Sequence, residues 1–407
     1  MTVRLARPWA LTAIVALAAI ACTQSNSGSP ASGARTQPSQ AAANAADSKA
    51  ADLRVRLDGL LGEHVIAIAK TSLAATANRS DEYKGYATML TANGSDLSDV
   101  IASAFGASAA ATFDQIWGAQ NNYYVDYTVG LVSHNAAKSN GAASGLTNGF
   151  VPQFAQFMNT MASIPLDPIT QLSTEQVLET KSMIDDQAAL NNPKTFADLR
   201  RAYAQASRIG DVLASAIASK FPDKFPGDPA NKAVDFRVSL DNLLEEHSYL
   251  ATMTTSATAA GRNTEQAASL NALAANADAL GTLFSQVFGT ATGTRFDQVW
   301  SARDADLVAY AGNADSTTRQ NAFTDLTMTF VAQFSSLVDD VTDLAGAEVS
   351  NPIQLQVEAM VRAIDDQRSK SASMLAADDH AAAAAMNPIG DLIATATVSK
   401  LPAKFAG

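Results

Sequence analysis

Apolar residues recur at spacings of three and four along most of this chain. Leu53, Leu57, Leu60, Leu61, His64 and Ile68 fall on one face of a helix, as do Phe113, Ile116, Trp117, Gln120, Tyr124 and Tyr127. The same periodicity predicts helices near 52–76, 80–104, 110–134, 143–163, 169–190 and 194–220. A second set is predicted near 235–259, 263–287, 293–313, 317–343, 352–370 and 372–399. Gly106, Pro165, Pro168, Pro193, Gly289 and Pro352 mark breaks between them. The chain is Ala-rich, and its 13 prolines in 407 residues sit mostly at the ends of periodic segments, which favours helices over strands.

The two sets of helices are also two copies of one pattern. "DLRVRLDGLLGEH" at 52–64 returns as "DFRVSLDNLLEEH" at 235–247, and "FDQIW" at 113 returns as "FDQVW" at 296, both 183 residues on. The offset then drops to 180, carrying "IDDQ" from 184 to 364 and Gly210-Asp211 to Gly390-Asp391. A period this long is a domain, not a solenoid repeat. The expected fold is therefore all-α, with two tandem homologous bundles at 51–227 and 234–407. Each has a ferritin-like four-helix core plus extra helices, and "PGDPANKA" at 226–233 joins them. By usual domain sizes the chain divides into two or three independently cored units.

The amino terminus reads differently. Arg4 and Arg7 precede an apolar run from Trp9 to Ile20 that is too short to span a bilayer and ends in Ala19-Ile20-Ala21-Cys22. This resembles a bacterial lipoprotein signal, implying removal of residues 1–21 and lipidation (palmitate or another acyl chain) at Cys22. An ordinary secretory signal is the alternative. Residues 22–50 are rich in Ser, Ala, Gly, Asn and Gln without hydrophobic periodicity and read as a flexible tether. Cys22 is the single cysteine, so a disulfide within the chain and a Cys-based metal centre are both excluded.

With 28 basic and 40 acidic residues the net charge is −12, and no basic run is long enough to track a phosphate backbone, so nucleic acid is not an expected partner. Loss of residues 1–21 removes two arginines and no acid. The mature chain is repelled by anionic membrane surfaces, and attachment falls to the acyl chains. The nucleophile-elbow, zinc-protease, phosphate-loop and dinucleotide motifs are all absent from the sequence. Arg54 and Asp58, like Arg237 and Asp241, stand four apart and are expected to pair on a solvated face. One member of each Asp185-Asp186 and Asp365-Asp366 pair is expected in solvent, and Met360, Met374 and Met386 are read as core fillers.

The chemistry-bearing candidates are polar points in apolar stripes. His64 and His247 point inward, with Glu63 and Glu246 at the stripe edges. Gln120 holds a core-facing slot that becomes Arg303 in the second copy. Gln205 shares a face with Ala202, Ile209, Val212 and Ala216, where the second copy has Ala385. The motifs "LLGEH"/"LLEEH", "FDQIW"/"FDQVW" and "GDVLASAIASKFPDKF" resemble a family of secreted bacterial helical-bundle proteins often labelled copper amine oxidase-like. That resemblance implies histidines in the first helix, three residues after the tryptophan, and before the Gly-Asp. Only His64 and His247 meet it; Gln120, Arg303, Gln205 and Ala385 do not, and His134 and His380 fall at no matched position.

Amides are weak ligands, and Arg303 would repel a cation and could pair instead with Glu246. The expected function is therefore a membrane-anchored extracytoplasmic lipoprotein, at the cell or outer membrane, acting as a non-catalytic binding or structural module for an envelope partner. No cofactor is expected. The alternative is a bundle that binds copper, zinc or haem through His64, with Glu63, Gln120 and Gln205, or through His247 with Glu246. A surviving site belongs in the first copy.

Overall fold

In the computed structural model, residues 46–312 and 315–406 are described; they are almost entirely helical, with no strand among them. The signal segment, Cys22 and the tether as far as residue 45 lie outside the described residues. The end of the expected tether is packed instead. Ser48 accepts from the Ala51 amide and caps a helix that starts at Lys49, while Ala46 and Ala50 are wholly buried.

The first half contains α1 (Lys49–Thr76), α2 (Ser80–Phe105), α3 (Ala107–Val132), α4 (Ala136–Ser144), α5 (Val151–Ala162), α6 (Leu166–Ala188) and α7 (Asn192–Lys220). The second contains α8 (Lys232–Ala259), α9 (Asn263–Phe288), α10 (Thr290–Ala311), α11 (Ser316–Thr324), α12 (Val331–Thr342), α13 (Gly346–Ser369), α14 (Ala372–Ala384) and α15 (Asn387–Lys400). Single glycines, Gly106 at φ 91° and Gly289 at φ 96°, make the α2–α3 and α9–α10 connections, a backbone state that L side chains rarely adopt.

Three boundaries differ from the sequence expectation. The helices expected at 143–163 and 317–343 are each interrupted by a π-helical turn, Gly145–Phe150 and Asp325–Phe330. At the first, the Tyr123 ring lies where a Cβ on residue 145 would be, so glycine admits that contact. The helix expected at 372–399 divides at Ala385-Met386, because Pro388 lacks an amide hydrogen and occupies the first turn of α15. Arg208 stands at the matching place in α7, which runs unbroken.

Packing departs further from expectation. In the first half α1 lies against α2, α6 and α7; in the second α8 lies against α9, α13, α14 and α15. Contacts also cross between halves: α1 against α8, α2 against α14 and α7 against α9. The main buried apolar cluster runs through both halves, so the units are not independently cored. Every residue from Leu61 to Ala74 and from Leu244 to Thr255 is buried. A helix buried all round lies at the centre of a structure, and α1 and α8 are that centre.

Candidate functional site

The polar points of the sequence converge in two places: around each core histidine, and along the seam between the halves. His64 is buried on α1, with Nε2 2.7 Å from Asn121 Oδ1 and its ring 4.6 Å from that of Trp117. Burial pushes its pKa down to about 4, against the opposing influence of the Asn121 hydrogen bond and the Glu63 charge. The imidazole is therefore neutral at pH 7. Beside it lies an internal cavity that admits the centre of a water-sized atom over about 20 Å³, walled by His64, Trp117, Gln120, Phe150, Phe154 and Gln176 among others. Trp117 Nε1, Gln120 Oε1 and Gln176 Oε1 have no protein hydrogen-bond partner. Gln205 is not among the residues lining the cavity; its Nε2 donates to Leu172 O at 3.0 Å.

In the second half the matching polar groups are engaged with one another. Asn276 Nδ2 donates to Leu243 O at 3.1 Å and to Glu246 Oε2 at 2.6 Å, which fixes its Oδ1 as the acceptor 2.9 Å from His247 Nδ1. His247 Nε2 then accepts from Trp300 Nε1 at 2.9 Å, with Asp304 Oδ1 at 3.0 Å. Both ring nitrogens are engaged. Arg303 does not pair with Glu246: its guanidinium donates to Gln356 Oε1 at 3.1 Å and Asp304 Oδ1 at 3.3 Å and lies over Trp300 and Phe330. Burial lowers the Arg303 pKa, opposed by Asp304; an arginine stays charged there all the same.

The glutamates turn to the seam rather than to the histidines. Both lie at the edges of their stripes as expected from spacing, and both are buried there. Glu63 accepts from Tyr249 OH at 2.8 Å and Asn93 Nδ2 at 3.0 Å and pairs with His380 Nδ1. Glu246 accepts from Arg200 Nε at 3.0 Å. Arg200 and His380 stand 180 residues apart, so each half lends a basic side chain to the other half's glutamate. Burial works to raise the Glu63 pKa, but its pairing with His380 and the hydrogen bonds from Asn93 and Tyr249 hold it below the usual carboxylate value. The same hydrogen bond raises His380, against burial. His380 is half exposed in a groove between α2 and α14 that also holds Asp96. The one sequence signal for this pairing was that both basic residues align on the 180-residue offset.

The expected helix-surface pairs dissolve into the same seam. Arg54 reaches Asp211 and Asp235, each at 2.5 Å, and Arg237 reaches Asp391 at 2.6 Å and Asp52 at 2.8 Å, while Asp241 stays 3.9 Å from Arg237. Asp58 and Asp241 are buried under Gly210 and Gly390, where burial, then Asp211 or Asp391, drives their pKa values well up. This close approach explains the Gly of each Gly-Asp pair. Asp185 and Asp365 are also engaged, accepting from Tyr127 OH and Tyr310 OH.

Among the described residues, no group of three or more His, Cys, Asp and Glu side chains is placed to hold a metal ion. No family model, curated protein or solved structure matches this chain.

Proposed function

We propose that this chain is a lipoprotein anchored through Cys22 on the outer side of a membrane, working as a non-catalytic binding and structural module for an envelope partner. In this reading its halves are copies of one ferritin-like bundle. The matching helix order and the 183- and 180-residue offsets support the duplication. The observation that carries the functional reading is the fate of the histidines. His247 has both nitrogens in hydrogen bonds, His64 faces amides and aromatic rings, and Glu63 and Glu246 are committed to the seam. Copper and zinc need several strong donors at one point, and haem, which one axial histidine can hold, needs a porphyrin-sized space that the cavity of about 20 Å³ beside His64 does not offer.

The test uses the mature chain, residues 22–407, exposed to copper, zinc and haem in turn and then dialysed. Elemental analysis and absorption spectra are expected to show substoichiometric loading. Stoichiometric loading that disappears in His64→Ala would establish the metal or haem alternative instead. In cells, Cys22→Ala is expected to move the protein from the membrane to the soluble fraction.

A further inference from the structure

Of the eleven residues lining the first-half cavity, four have a different residue at the matching offset in the second half: Val65 gives way to the smaller Ser248, and the other three give way to larger side chains. Gln120, Ser173 and Ala206 line the cavity; the residues at the same offsets are Arg303, Ile353 and Met386, each larger and each buried. The guanidinium of Arg303, a planar group of one carbon and three nitrogens, lies against Trp300, Phe330 and Gln356. Trp117, Phe150 and Gln176 are the matching residues, and all three line the first-half cavity. The second half thus supplies from its own chain a group that the first half does not.

We propose that the first-half cavity is a binding site for a small, neutral, planar molecule with N–H donors and one carbonyl: a urea or a simple primary amide. Its polar lining sets the hydrogen-bond pattern. Gln120 Oε1 and Gln176 Oε1 are acceptors without protein partners, and Trp117 Nε1 is a donor without one; all three side chains are more than nine-tenths buried. A urea donates to the two amide oxygens and accepts from the indole. Phe150 and Phe154 complete the wall with aromatic carbon.

Charge separates this guest from the Arg303 head group. Asp304 sits beside the guanidinium in the second half, whereas Asn121 stands at that offset in the first, and no residue lining the cavity is a carboxylate. A cation there would be desolvated without a counter-charge. Size agrees: the outer atoms of such a molecule lie roughly 1.3 Å from its carbon, inside a sphere of about 10 Å³, and the cavity offers about 20 Å³ to atom centres.

The proposal rests on reading the chain as a binding module, and the experiment separates the two. The mature chain keeps two tryptophans, Trp117 and Trp300; in Trp300→Phe the fluorescence reports Trp117 alone. Titration with urea or formamide below denaturing concentrations is expected to give a saturable change with one site per chain by ligand-observed NMR. N,N-dimethylformamide, which lacks N–H donors, and methylguanidinium should each bind at least tenfold more weakly. The double variant Gln120→Arg/Asn121→Asp, which copies the second half, should abolish binding without lowering the melting temperature, and Ser173→Ile should do the same by filling the space. A linear, unsaturable response, meaning that the cavity takes water only, overturns the proposal, as does preference for methylguanidinium or undiminished binding in both filled variants. Absence of amide binding with no metal loading defeats this proposal alone; stoichiometric metal loading lost in His64→Ala defeats the binding-module reading.

Discussion

Lys70 provides the most demanding check on the seam. It is buried on α1, and its Nζ donates to Asp379 Oδ2 at 2.6 Å and Thr252 Oγ1 at 2.9 Å. Tyr86 OH donates to the same Asp379 oxygen at 2.8 Å. Asp379 comes from α14 of the other half, so the pair crosses the seam. At the matching offsets the second-half site has Met253, Leu199 and Ser269, all buried. Lys70→Met leaves Asp379 buried with one hydroxyl partner, which should cost about 3–5 kcal/mol. Lys70→Met/Asp379→Leu removes both charges, a change that is neutral to about 1–4 kcal/mol stabilising in comparable interiors, but it strands the Tyr86 hydroxyl at about 1–3 kcal/mol. Adding Tyr86→Phe should recover that loss, leaving the triple variant at least as stable as the parent. Guanidinium chloride unfolding of the mature chain, followed by circular dichroism at pH 7.5 with comparable slopes, measures the series. A single variant costing under about 1 kcal/mol, or a triple variant no better than the single, would refute a buried ion pair at this place.

His64 is neutral in the native state and protonates near 6.5 when unfolded, so the unfolded chain holds the extra proton between these values. Its contribution to stability should fall by about 3 kcal/mol as pH drops from 6.5 to its native value of about 4; parallel melts of the parent and His64→Gln should diverge in slope across that window, and equal slopes would refute the burial argument. A Cβ on Gly210 would collide with Asp58 Oδ1 and lie 2.9 Å from its Cγ. Gly210→Ala should therefore cost about 1–3 kcal/mol despite better helix propensity, and Asp58→Ala in the same chain should recover part of it. The Glu63–His380 pair stabilises fully below the ordinary histidine value and is lost as pH rises through the raised His380 pKa; at the acid end it is lost as pH falls through the lowered Glu63 pKa. His380→Gln should flatten that profile by at most about 1 kcal/mol, since the imidazole is half exposed; an unchanged profile would show the pair to be inert.

Helix existence was legible in the sequence because a period near 3.6 needs only local information. The stripes of Leu53–Ile68 and Phe113–Tyr127 became helices, and most boundaries fell within a few residues of those expected. The π-helical turns were not legible, since what admits the first is the Tyr123 ring reaching Gly145 from a separate helix. The inward direction of His64 and His247 followed from spacing alone. Their usefulness as ligands did not, because it depends on Asn121, Asn276 and Trp300, residues 29–57 positions away.

The seam escaped notice for a deeper reason. A helix with charged residues off its apolar stripe reads as having a wet face, and the i,i+4 rule then assigns Arg54 to Asp58. In α1 Glu63 and Lys70 are such off-stripe residues, and both are buried, as are the polar Thr71 and Ser72 that continue the stripe. Glu63 and Lys70 are satisfied by Tyr249, Thr252, Asp379 and His380 from the other half, and Ser72 by Gln187. Hydropathy counts a polar side chain as solvent-seeking, yet one hydrogen-bonded by a second surface can be buried at little net cost. The duplicated pattern held that second surface all along. Each half's central helix has a polar flank whose complement is written in the other half, as Arg54–Asp235 and Arg237–Asp52 show in reciprocal form. A half taken alone would expose that flank and leave Glu63 or Glu246 without its borrowed basic partner, so the fold is a property of both halves together.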